Sequence, residues 1–172
     1  LLDMDSDGDL DLVCATRIGK VTWRENVGTR SSPKFDAVAQ SLPMEEGAAS
    51  IAGFNATYAD WDGDGRRDLV VGSGRGHIVW HRNVGVDDKP KFSSGRKLLK
   101  DSGFPEIREG DVPATHGGRA KVHIVDYDND GLLDILLGDF TSCTYNTRPP
   151  LTDQEIKEKE ALEKEVKETG NK

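Results

Sequence analysis

An acidic pattern that occurs three times constrains this chain more than any other feature. It reads "DMDSDGDLDL" from Asp3, "DWDGDGRRDL" from Asp60 and "DYDNDGLLDI" from Asp126. Each copy is D-x-D-x-D-G-x-x-D followed by Leu or Ile. The repetition runs well past the motif. Shifted by 57 residues, Asp3 to Phe35 lies on Asp60 to Phe92 without a gap, and 15 of the 33 positions are identical. The shared positions include Gly19 and Gly76, Trp23 and Trp80, "NVG" at Asn26 and Asn83, and "PKF" at Pro33 and Pro90. The third copy follows the second after 66 residues. A period of this length marks a solenoid, a propeller or an array of similar units, each relying on its neighbours to bury its apolar faces.

Each unit reads as short strands. In the middle copy "GFNATYAD" is strand A, ending at the acidic loop, and "DLVVG" is strand B. "HIVWHRN" is strand C, "NVG" a turn, because Asn and Gly tolerate positive φ, and "KFSSGRKLL" strand D. Four strands with tight turns suit an antiparallel blade. The first copy supplies B-C-D and the third A ("RAKVHIVD") and B ("DILLGDF"), so the chain holds about two and a half blades. A closed propeller typically takes about 4–8. The start at Leu1, almost on top of a motif, points to an excised or incomplete fragment.

The alternating aspartates have a chemical reason. In an oxygen-lined calcium loop, side chains at positions 1, 3, 5 and 9 converge on one point, position 7 offers its carbonyl, and glycine at position 6 permits the sharp turn. In the first loop these are Asp3, Asp5, Asp7 and Asp11, with the carbonyl of Asp9. In the second they are Asp60, Asp62, Asp64 and Asp68, with the carbonyl of Arg66. In the third they are Asp126, Asp128, Asp130 and Asp134, with the carbonyl of Leu132. Gly8, Gly65 and Gly131 stand at position 6. Two carboxylates about 4 Å apart repel by about 4 kcal/mol at an effective dielectric near 20, so a cation between them is required to close such a turn. No His or Cys falls at a ligand position, which argues against zinc and copper. Flexible carboxylate loops suit Ca²⁺ better than Mg²⁺. About three calcium ions are expected. An EF-hand would need an acidic residue at position 12, where this chain has Cys14, Val71 and Leu137. Position 2 is apolar in every copy (Met4, Trp61, Tyr127) and is expected to pack between blades.

"DWDGDGRRDLVVGSGRG" and "DYDNDGLLDILLGD" resemble FG-GAP/VCBS repeats, the calcium-loop blades of integrin alpha-chain propellers and many secreted bacterial proteins. The resemblance covers roughly residues 1–140. It implies an all-β fold: a partial β-propeller of four-stranded antiparallel blades with Ca²⁺ in the A–B turn. It also implies extracellular, cell-surface or periplasmic placement, and roles in adhesion, ligand recognition or scaffolding. The expected domains are blades over 1–150, with copies near 1–45, 46–100 and 115–145, and a charged helical segment over 151–172.

The function expected is a non-enzymatic, calcium-binding propeller module with a protein or carbohydrate ligand. The alternative is the propeller portion of a larger secreted carbohydrate-active enzyme. Paired carboxylates outside the metal loops and a nucleophile elbow are both lacking, which favours the first. A net charge of −8 argues against nucleic acid as a partner. No apolar run approaches the roughly 18 residues of a membrane span.

"LTDQEIKEKEALEKEVKETG" reads as a helix with a capping box, Thr152 at the N-cap and Glu155 at N3, and a staple between Leu151 and Ile156. Glu155–Lys159, Glu160–Lys164 and Glu163–Lys167 are expected to pair along it. The segment "DSGFPEIREGDVPATHGG" reads as a surface loop, His77 and His81 as exposed strand positions, and Trp23 and Trp80 as packing residues. The sequon at Asn55 falls in a strand and is read as accidental. Cys14 and Cys143 are not expected to form a bridge.

Overall fold

The computed structural model of the chain describes residues 3–15, 20–49, 51–86, 88–102, 104–144 and 151–169. Leu1 and Leu2, the remnant of strand A in the first copy, lie outside them. Two compact units are distinguished, one of residues 1–106 and 113–142, the other of residues 107–112 and 143–172.

In the first unit, the first copy forms a three-stranded sheet of β1 (Leu12–Cys14), β2 (Thr22–Arg24) and β3 (Gln40–Ser41), in that order. The second copy forms a complete antiparallel four-stranded sheet of β4 (Asn55–Ala59), β5 (Asp68–Gly72), β6 (Ile78–His81) and β7 (Arg96–Leu99). These are strands A to D in chain order. Strand D is shorter than expected. Phe92 makes only isolated bridges, antiparallel to Asn83 and parallel to Met44, and regular pairing with β6 starts at Arg96.

The stretch between the second and third copies is not all loop, because it contains β8 (Glu106–Arg108). The third copy pairs β9 (Gly118–Val125) with β10 (Asp134–Phe140), antiparallel. The second unit carries most of β8 and of β11 (Ser142–Thr144), which form a two-stranded sheet, and the helix α1 (Asp153–Thr169).

Packing explains the repeat. Successive residues of a strand point to opposite faces, and β5 is buried along its whole length because each face meets another copy. Leu69 and Val71 join Met4, Val21, Leu42, Ile51 and Phe92 in a cluster shared by the first two copies. Val70 turns the other way, onto Ile78 and onto Val122 of the third copy. Tyr58 meets Phe92 edge to face, with centroids 5.7 Å apart. Full burial of such side chains contributes about 1.5–3 kcal/mol each, and it is realised only when the copies stack.

Position 2 of the acidic loops follows the same logic in graded form. Met4 is buried at 2% exposure, and its Sδ accepts the Tyr58 hydroxyl at 2.9 Å, on strand A of the next copy. Trp61 is half-buried. Tyr127 is 73% exposed, which corrects the expectation that it packs between blades; no following copy covers it among the described residues. Met4→Ala is therefore expected to cost about 2 kcal/mol, at the low end for a buried Met, and Tyr127→Ala to stay within about 0.5 kcal/mol. Urea midpoints of the two variants check this, and equal shifts would show that position 2 has no packing role.

Two other expectations change. His81 is buried, with Nδ1 3.1 Å from the carbonyl of Ser93, and burial lowers its pKa. His77 is half-buried beside Asp101, 2.7 Å from its carboxylate. Asn55 of the sequon spends its side-chain oxygen on the Val122 amide at 2.6 Å, tying the second copy to the third. Both cysteines are free thiols.

The helix keeps its predicted cap. Thr152 N donates to Glu155 Oε2 at 2.7 Å, and Glu155 N donates back to Thr152 Oγ1 at 3.4 Å. Leu151 and Ile156 are exposed at 45% and 41%. Because Glu155 serves the cap, Lys159 pairs forward with Glu163, at 3.8 Å. The Lys167 side chain lies outside the described residues.

Candidate metal centres

The three acidic loops fold alike, and their own carboxylates organise them. The position-1 aspartate accepts the amide of the position-6 glycine: Gly8 to Asp3 at 3.2 Å, Gly65 to Asp60 at 2.9 Å and Gly131 to Asp126 at 3.0 Å. The position-5 aspartate accepts the amide two residues on: Asp9 to Asp7 at 3.0 Å, Arg66 to Asp64 at 3.0 Å and Leu132 to Asp130 at 2.8 Å. These are Asx turns. The chain must also pass twice through the left-handed region. Gly8, Gly65 and Gly131 have φ of 97°, 84° and 88°. Position 4 does so as well, with Ser6 at 59°, Gly63 at 72° and Asn129 at 61°. That second turn was missed in the sequence, although the residue types at position 4 carry its signal.

Carboxylate oxygens of Asp3, Asp5 and Asp11 lie within 4.8 Å of one another in the first loop, as do those of Asp60, Asp62 and Asp64 in the second and Asp126, Asp128 and Asp134 in the third. Positions 1 and 3 therefore converge in every loop. Position 9 joins them in the first and third loops, and position 5 in the second. Asp7, Asp130 and Asp68 stand outside these triads.

The position-9 aspartates do a second job that the sequence reading missed. Asp11 is 1% exposed and accepts the amide of Met4 at 2.7 Å and that of Asn26 at 2.8 Å. Asp68 has no exposed surface and accepts the amide of Asn83 at 2.6 Å and Trp80 Nε1 at 2.9 Å. Asp134 accepts the amide of Tyr127 at 2.9 Å. The recurring Asn continues the chain of bonds. Asn26 Oδ1 accepts Gly28 N at 3.1 Å and Lys34 N at 2.8 Å, and Asn83 Oδ1 accepts Gly85 N at 3.0 Å and Lys91 N at 3.1 Å.

"NVG" and "PKF" are thus two sides of one clamp on the acidic loop. None of Asn26, Asn83, Gly28 and Gly85 has positive φ, contrary to the turn expected there. The glycines are required by space: a Cβ at Gly85 would stand 2.4 Å from the Lys89 carbonyl, and one at Gly28 2.5 Å from that of Ser32.

Electrostatics distinguish the loops. In the first, burial and then the neighbouring carboxylates raise the pKa of Asp5 and of Asp9. Asp3 Oδ1 and Asp9 Oδ1 are buried without a hydrogen-bond partner. In the second, Arg66 and Arg82 hold the Asp64 carboxyl well below the usual range. Burial raises the Asp68 pKa, against the bonds from Asn83 and Trp80. An all-oxygen donor set with orphaned carboxylate oxygens fits a hard divalent cation such as Ca²⁺ and lacks the nitrogen or sulfur that a softer metal prefers. Trp80 packs as expected, with the Arg96 guanidinium 4.8 Å over its ring.

Among the described residues, no helix is long and apolar enough to cross a membrane. The family model for an FG-GAP-like repeat matches the chain twice, over residues 3–71 and 60–137. No curated protein and no solved structure matches it.

Proposed function

The chain belongs to the FG-GAP-like repeat family, and from that premise we propose that it is a calcium-stabilised β-propeller repeat module that presents a binding surface and performs no catalysis. The observation that carries this reading is the threefold convergence of carboxylates at the turn between the first two strands of a copy. Ca²⁺ supplies positive charge and a flexible oxygen-seeking shell. Asp3, Asp5 and Asp11 would hold it in the first loop, Asp60, Asp62 and Asp64 in the second, and Asp126, Asp128 and Asp134 in the third. The carbonyls of Asp9, Arg66 and Leu132 stand at the position that supplies backbone oxygen.

The chain's own residues fix the turn geometry: the Asx turns shape each loop, and Asp11 and Asp68 fasten the first two to the Asn clamp. Ligand groups on a turn between strands, with that clamp behind them, argue for a structural role. The neighbouring surfaces then remain for a protein or glycan ligand outside the cell, where millimolar calcium fills sites with dissociation constants on the order of 10⁻⁴–10⁻³ M.

Calorimetric titration of metal-stripped protein is expected to show uptake near three equivalents of Ca²⁺. Preference for Zn²⁺, or no uptake at millimolar Ca²⁺, would overturn the reading.

A further inference from the structure

The second loop differs from the first in what faces its carboxylates. Arg82 follows β6. Its Nε lies 2.7 Å from Asp62 Oδ2, and its Nη2 donates to Asp64 Oδ2 at 2.7 Å. Arg66 pairs with the same Asp64 oxygen through Nη2 and Nε, and its Nη1 is anchored on the Gly85 carbonyl at 3.2 Å. Two of the three converging carboxylates thus already face guanidinium groups.

In the first copy the equivalent positions hold Asp9 and Glu25. The backbone confirms the equivalence: the Arg82 carbonyl accepts Ser93 N at 2.9 Å, and the Glu25 carbonyl accepts Asp36 N at 2.8 Å. Two negative charges therefore stand in the first copy where two positive charges stand in the second. The orphaned carboxylate oxygens fall on the same side of this contrast, since Asp3 and Asp9 supply them in the first loop and the second loop's aspartates supply none among the described residues.

We propose that Arg82, with Arg66, is a resident counter-ion of the second loop, holding it closed without metal, so that calcium enters only by displacing guanidinium from Asp62 and Asp64. The inference rests on the calcium reading above. It makes the three sites unequal. The second loop is the weakest of the three.

The test is calcium titration of the intact chain by calorimetry, with melting curves in chelator. The wild type is expected to show one weak site, and Asp62→Asn to remove that site and no other. Arg82→Gln should tighten it about tenfold, as expected when a unit positive charge is removed from within a few Å of a divalent cation at a solvated surface. Arg82→Lys, which keeps the charge, should leave it weak. In chelator Arg82→Gln should melt below the wild type, and saturating calcium should close the gap. Should Arg82→Gln fail to fold, Arg66→Gln removes the other guanidinium and is expected to tighten the same site. Calcium uptake with affinities that neither glutamine variant alters, or loss of a tight site in Asp62→Asn, overturns this inference alone. Absence of uptake by every variant overturns the calcium reading and this inference together.

Discussion

Asp68→Ala is expected to lower stability by about 3 kcal/mol, in calcium and in chelator alike, through buried donors left without an acceptor. Asp68 has no exposed surface, and its two oxygens hold the Asn83 amide and the Trp80 indole N–H. Alanine leaves both donors buried and unpaired, at about 1–3 kcal/mol each. Part of that loss is returned, because burial raises the Asp68 pKa and removing the carboxylate relieves the cost of its charge. The remainder propagates, since Asn83 also holds Gly85 and Lys91.

Asp62→Ala makes the useful contrast. Asp62 lies at the open side of the loop, with its side chain 24% exposed. Its loss takes away one of the two carboxylates that Arg82 faces, so it should lower stability in chelator by no more than about 1 kcal/mol, as for an exposed ion pair, and by more in calcium. Urea unfolding followed by tryptophan fluorescence, in both buffers, separates the two. A loss for Asp68→Ala confined to calcium would reduce Asp68 to a metal ligand and remove the clamp from the account.

Much of the blade was legible because the repeat and the strand period agree. "DLVVG" is β5 to the residue, for a physical reason. A short apolar run bounded by an acidic turn and glycine, and rich in Val, suits a strand covered on both faces. The ligand positions were legible as a set of four per loop, but not the three that converge. In the second loop the choice goes with charges that the motif does not contain: Arg66 and Arg82 engage Asp62 and Asp64, while Asp68 serves the Asn83 and Trp80 donors.

The clamp was hidden in plain repetition. Asn26 and Asn83 recur at the same offset as the tryptophans, and a turn alone does not require the same Asn twice; a buried side-chain oxygen that accepts two backbone amides does. β8 escaped notice because "EIR" sits among Pro, Gly and charged residues, and its partner strand β11 lies more than thirty positions away. Tyr127 was misjudged because position 2 is buried only when a further copy covers it, which a single-copy pattern does not reveal.

The central claim is that the alternating aspartates are structural calcium sites, and thermal unfolding of the unmodified chain with and without calcium tests it most directly. A ligand bound only to the folded state stabilises it by RT ln(1 + [L]/Kd), about 2.7 kcal/mol per site at 100 times Kd. Typical domains have only about 5–15 kcal/mol in total. The second loop contributes less than the others because its arginines already neutralise it. With dissociation constants of about 10⁻⁴ M, about 10 mM calcium reaches that ratio to Kd, and the first and third loops together should then raise the melting temperature by on the order of 10–20 °C in a chain of this size. The predicted result is therefore a large rise from chelator to about 10 mM calcium, continuing with the logarithm of the calcium concentration and not reproduced by equal ionic strength of a monovalent salt. A melting temperature that chelator leaves unchanged would contradict the account, and the clustered carboxylates would then have to be held by the chain's own hydrogen bonds and arginines alone.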